Sequence, residues 1–248
     1  MSRENRKKLN LNFGEAMKRN SFLLLVLFIS PSAFAQNDTP DSCGVAPGVK
    51  AIDAYTLVAE KNFLNDIEPI NADGTINMVV EIPAGRTDKW EVKNDGWLHW
   101  DFKDDKPRIV QYLGYPCNYG IVPQTVLAKE SGGDGDPLDC LMLGASAPRG
   151  SIYKVKVIGV IKLLEKGEQD DKLLTVKSDD PIFAANNLRE LNEKFPGVTA
   201  ILETWFTNYK GAGALVCKGF GDVEEARTIL DAAMRSFIRE TNIPLPNK

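Results

Sequence analysis

Three aspartates, Asp134, Asp136 and Asp139, fall within six residues of the stretch KESGGDGDPLDCLMLG, Lys129 to Gly144. Carboxylates this close raise one another's pKa and persist where cations, hydrogen bonds or water compensate. At ordinary residue frequencies Asp-Gly-Asp-Pro-x-Asp arises by chance in about two in ten thousand chains of this length, so the motif is specific. An EF-hand is excluded, because Pro137 takes its fourth loop position and Ala145 stands where the bidentate glutamate belongs. The apolar Leu138, Leu141, Met142 and Leu143 tie the turn to the core. Short carboxylates on such a turn suit a hard divalent cation, Mg²⁺ above all, which shares its sphere with phosphate oxygens. Asp134 and Asp136 share a face of an extended start, and the turn at Pro137 redirects Asp139. One acid is then left to take a proton from an activated water, which makes the chemistry hydrolytic.

The elements that must position these acids are strands first and helices last. TINMVVEIPA (75–84), KWEVK (89–93), PRIVQYLG (107–114), DCLMLG (139–144) and SIYKVKVIGVIKLLE (151–165) read as strands, separated by Gly, Pro, Asn and Asp turns. DDPIFAANNLRELNEKF (179–195) and GVTAILETWFTNYKG (197–211) read as helices, the second with Gly211 as a C-cap. In DVEEARTILDAAMRSFIRE (222–240), Val223, Ala226, Ile229, Leu230, Ala233, Met234, Phe237 and Ile238 recur at helical spacing and form a core stripe. The order predicts an α+β fold, a small β-barrel with helices packed outside.

Before this domain, Lys18 and Arg19 precede the apolar run Phe22 to Ile29, and Ala33-Phe34-Ala35 supplies small residues at a cut. This is the layout of a secretory signal peptide over residues 1–35, translated from Met1 or from Met17. Eight apolar residues fall short of the about 20 that span a bilayer, so no stable membrane anchor is expected. A polar linker follows over 36–48 and one domain over 49–248, and the protein is expected to be exported, to the periplasm or beyond. The first 35 residues hold six basic and two acidic residues, which leaves 24 basic and 32 acidic residues and a net charge of −8. Such a chain lacks the basic footprint of nucleic-acid binding. In an oxidising compartment Cys43, Cys117, Cys140 and Cys217 admit three complete pairings, and free buried thiols are an equal alternative. His99 is the sole histidine and reads as structural or merely exposed.

Four further segments offer groups for phosphate: EIPAGRTDKWEV, GYPCNYGIVPQT, EKGEQDDK and FTNYKG. EIPAGRTDKWEV, GYPCNYGIVPQT, DGDPLD and EKGEQDDK, in this order, resemble the soluble family I inorganic pyrophosphatases over about residues 75 to 215. The resemblance implies an OB-like closed barrel with flanking helices, hydrolysis of pyrophosphate to two phosphates, Mg²⁺ as cofactor and a homo-oligomer. It implies Asp134, Asp139, Glu165 and Asp170 as metal ligands and Asp136 as general base. Lys89, Arg108, Tyr119, Tyr209 and Lys210 fall on phosphate-contacting positions, and Glu81, Glu91, Tyr115 and Lys172 on supporting ones. Two departures stand out: Glu165 replaces an aspartate, and the Arg108 to Tyr115 interval is one residue shorter than in the best-known bacterial members. A phosphate- or metal-binding module without catalysis is the alternative function.

Overall fold

A closed ring of five strands positions the site. The computed structural model describes residues 44–241. The expected signal peptide, the choice of start between Met1 and Met17, most of the linker and Cys43 lie outside the described residues. The first strands are β1 (Lys50–Ala51), β2 (Thr56–Val58), β3 (Ile76–Ile82), β4 (Trp90–Val92), β5 (Leu98–Trp100), β6 (Phe102–Lys103) and β7 (Lys106–Pro107). There follow β8 (Asn118–Ile121), β9 (Asp139–Leu143), β10 (Ile152–Glu165), β11 (Glu168–Gln169) and β12 (Lys172–Lys177). Helices α1 (Leu188–Lys194) and α2 (Val198–Asn208), strand β13 (Leu215–Gly221) and helix α3 (Val223–Thr241) complete the chain.

The ring runs β3, β8, β9, β12, β10 and back to β3. Within it β9 and β12 are parallel and the other neighbours antiparallel. The fourteen-residue β10 closes the ring because it pairs with β3 at its start and with β12 further on, then carries β13 on its outer edge. Closure removes the edges that an open sheet would expose. Alternation along the strands separates two apolar clusters. Leu141, Ile158, Ile161 and Leu174 pack with Leu202, Trp205 and Phe206 of α2, whereas Cys140, Met142, Val157 and Leu173 pack with Ala226, Leu230 and Ala233 of α3. The predicted stripe of α3 is thus core, and the α+β barrel is the fold observed.

Two expected elements are shorter than their patterns suggest. Of 107–114 only Pro107 is in a strand. Its amides are taken up singly by loops, Arg108 by Asp101 O, Val110 by Thr87 O and, just beyond, Tyr115 by Arg86 O, so no continuous ladder forms. In 179–195 the helix is confined to Leu188–Lys194. The Asp180 carboxylate takes the amides of Ile182 and Phe183 and holds a turn, and Asn187 then caps α1 by accepting from the Glu190 amide at 2.9 Å. Cys117, Cys140 and Cys217 are free thiols, the first two buried.

Candidate active site

The parallel pairing of β9 with β12 sets Asp139 opposite Lys172. Both side chains lie on the α2 face, since each stands two residues before a member of that cluster, Leu141 or Leu174. The Lys172 ammonium reaches Asp139 Oδ2 at 2.5 Å and Asp170 Oδ1 at 2.8 Å. Tyr119 on β8 faces Leu141 across the ladder, two residues from Asp139, and its hydroxyl donates to Asp139 Oδ2 at 2.6 Å. Burial alone would lower the Lys172 pKa, but Asp139 and Asp170 outweigh it and hold the ammonium charged. Burial raises the Asp139 carboxyl, with Lys172 opposing it.

The acidic turn lies beside this trio. Its backbone is pinned by Gly135 N to Leu127 O and Leu127 N to Asp136 O, both 2.8 Å, and by Gln169 N to Gly132 O at 2.7 Å. Gly135 takes φ +88°, a left-handed conformation that glycine adopts without strain. Asp134 accepts from the Asp136 amide at 2.9 Å, and burial, with Asp136, Asp139 and Asp170 nearby, raises its pKa to about 6. The exposed Asp136 carboxylate has no hydrogen-bond partner among the described residues. Glu165, at the end of β10, is paired to Lys210 Nζ at 2.5 Å.

The cationic side is built on β3, β4 and the loops around them. Glu81 lies at a bulge in β3, where the register to β8 shifts between Val80 and Ile82. Its carboxylate accepts from the Val92 amide at 2.6 Å, and burial raises its pKa to about 8. Lys89, buried and paired to Glu91, is lowered to about 8 by burial, with Arg108 adding to the effect. Its amide donates to Arg108 O at 3.0 Å, and Arg108 itself pairs with Asp101 at 2.9 Å. Tyr209, just past α2, stacks on Trp205 at 4.4 Å and carries Lys210 over its ring. Tyr115 packs on Trp205 at 4.5 Å, and its buried hydroxyl has no hydrogen-bond partner among the described residues.

Three groups therefore converge: Asp139, Asp170, Lys172 and Tyr119; the turn with Asp134 and Asp136; and the cations Lys89, Arg108 and Lys210 with Glu81, Glu91 and the tyrosines. The structure sets Glu165 against Lys210 rather than against the other acids. Asp101, Lys93 and Asp171 also belong to the network. Asp101 pairs with Arg108 and lies 3.6 Å from Lys93, while the Asp171 carboxylate accepts from the Leu163 amide. Their only sequence signal was charge in a charged stretch.

Among the described residues no three acids are already gathered as a closed metal centre. The donor set still fits a hard cation. It is all carboxylate oxygen, burial and then the neighbouring acids raise the Asp134 carboxyl, a cost that a cation would relieve, and burial raises the Cys140 thiol to about 12, which disfavours the thiolate that a soft metal needs.

Residues 78–238 match the family model for inorganic pyrophosphatase, and the chain belongs to that family. It is 36% identical over 156 residues to the mitochondrial inorganic pyrophosphatase of Saccharomyces cerevisiae, covering 55% of this chain and 50% of that protein. It is 33% identical over 190 residues to an inorganic pyrophosphatase of Drosophila melanogaster, covering 67% of this chain and 56% of the other. The chain thus spans about half the length of the curated relatives it matches. The structure of inorganic pyrophosphatase from Schistosoma japonicum superposes with a TM-score of 0.70 at 24% identity over 78% of each chain, a likeness of fold.

Proposed function

We propose that the protein hydrolyses inorganic pyrophosphate to two phosphates with Mg²⁺ as cofactor. The observation that carries this reading is the meeting of the Asp134, Asp136, Asp139 and Asp170 carboxylates with Lys89, Arg108 and Lys210 on one barrel, in a chain of this family. Asp136 is the general base: its uncommitted carboxylate accepts the proton of the attacking water. Lys89, Arg108 and Lys210 hold the phosphates, and the hydroxyls of Tyr209 and of Tyr119, the latter once released from Asp139, orient their oxygens without adding charge. Glu81, Glu91, Tyr115 and Lys172 keep these groups in place. Asp134, Asp139 and Asp170, with Glu165 released from Lys210, are the residues that would hold the metal. A Mg²⁺ ion held there would supply a lowered pKa for bound water and positive charge against the phosphates.

The expectations of export through residues 1–35 and of a homo-oligomer belong to the same reading. Amino-terminal sequencing of secreted protein and sedimentation of the purified chain test them. Phosphate release by residues 36–248, with and without Mg²⁺, tests the activity. Metal-dependent release supports it, and a folded protein that binds phosphate and Mg²⁺ without releasing product is a binding module instead.

A further inference from the structure

The geometry points to Arg149 and Asp88 as a buried positioning pair that sets the phosphate-binding side of the site. This inference rests on the function proposed above. Arg149 lies in the loop between β9 and β10, 6% exposed, and Asp88, also 6% exposed, directly precedes Lys89. Arg149 Nη2 donates to Asp88 Oδ2 at 2.7 Å, and Arg149 Nε donates to the Glu81 carbonyl at 2.8 Å. The guanidinium lies over the Trp90 ring at 4.7 Å, and Trp90 Nε1 donates to the same Asp88 oxygen at 3.0 Å.

Each contact has a positional consequence. Glu81 is the bulged residue of β3, and a bulge takes a residue out of regular ladder pairing, so its carbonyl needs a donor from elsewhere. Arg149 supplies it and fixes the backbone from which the Glu81 carboxylate reaches Val92 of β4. Through Asp88 the same guanidinium fixes the backbone of Lys89, and through Trp90 the residue that follows. One planar fork thus ties β3 to β4 on either side of Lys89, a task a point ammonium performs poorly. The fork itself is held rigidly: Arg149 N donates to Gly44 O at 2.7 Å, Arg149 O accepts from Ala46 N at 2.8 Å, and Gly150 N donates to Val80 O at 2.7 Å. Neither Arg149 nor Asp88 hydrogen-bonds to the acidic turn or to Lys172, so its effect falls on the cationic side alone.

The test uses Arg149→Met, Arg149→Lys and the double variant Arg149→Met with Asp88→Asn, which keeps an acceptor for Trp90 but removes the buried charge that Arg86, 2.8 Å away, would otherwise balance alone. In each, KM and kcat for pyrophosphate, the Mg²⁺ concentration for half-activation, inorganic phosphate binding and the melting temperature are measured. The expected result is a KM raised about tenfold or more in Arg149→Met, with half-activation by Mg²⁺ unchanged and partial recovery in Arg149→Lys. In the double variant the melting temperature recovers while KM stays raised. A merely structural pair would instead shift metal activation, KM and melting temperature together, or let KM recover with stability, and either outcome overturns the inference. So does a folded Arg149→Met with KM within about twofold of wild type. Wild-type protein that fails to hydrolyse pyrophosphate sinks the functional reading. Phosphate affinity then decides the positioning role, which stands if Arg149→Met and the double variant bind phosphate more weakly than wild type and falls if they do not.

Discussion

Lys172 and Asp139 stand opposite each other on parallel strands, with the ammonium 2.5 Å from the carboxylate and 98% of the lysine side chain withdrawn from water. Removing one partner of such a pair leaves the other charge buried without compensation. Lys172→Met leaves Asp139 and Asp170 in that condition, and a loss of about 3–5 kcal/mol is expected in urea unfolding. Saturating Mg²⁺ should restore part of it, because a divalent cation can stand in for the ammonium. Unchanged stability without metal would show that Lys172 is not the counter-ion of these acids.

Asp136 and Asp139 differ in how far their carboxylates are committed, and their amide variants should differ accordingly. Asp136→Asn is expected to lower kcat by about 10²–10⁴ while leaving metal affinity near wild type. Asp139→Asn should weaken both. Steady-state kinetics over a Mg²⁺ titration separates them, and near wild-type turnover of Asp136→Asn at every pH would falsify its role as base.

Asp88 gives a pH dependence whose sign is fixed. Burial opposes ionisation of its carboxyl, but Arg86 and Arg149 overcome it and hold the pKa below the ordinary aspartate value. The unfolded chain therefore binds a proton more readily than the folded one, and stability present above about pH 4 is lost as pH falls through the lower folded pKa. Urea unfolding between pH 5 and about pH 2 should lose less stability in Asp88→Asn than in wild type. Parallel acid profiles for the two proteins would exclude this contribution.

At Gly120 β8 lies close against the backbone of β3. A Cβ built there would lie 1.8 Å from Val79 O, so even alanine forces the backbones apart. Gly120→Ala should cost about 3 kcal/mol or more, because the obstacle is backbone and not a movable side chain. The displaced strand carries the Glu81 bulge, so faster exchange of the Val92 amide, which donates to Glu81, should accompany the loss. Protection of Val92 equal to wild type would mean that β3 does not move.

Local features were legible in the chain. The DGDPLD turn identified itself by composition and spacing, β10 by its long apolar run, and α3 by a 3.6-residue stripe that the structure buries. Each depends on neighbours within a few residues, which is the range over which turn chemistry and periodicity act. The short strands β8, β12 and β13 carried no such signal, and Pro107 to Gly114 carried a misleading one, because its amides find partners in distant loops.

The sequence by itself determined which groups the protein owns: a nest of acids, a set of scattered cations, and resemblance to a family that fixed their expected roles. Tertiary structure alone decided which of them meet. Asp139 and Lys172 are 33 residues apart, Arg149 and Asp88 are 61 apart, and Glu165 and Lys210 are 45 apart. The first contact follows from strand register around the barrel, the second from the β9–β10 loop folding back under β3. The third follows from the end of α2 meeting the end of β10. None of these is encoded in local propensity, since each depends on closing a long stretch of chain whose entropy only the completed core offsets.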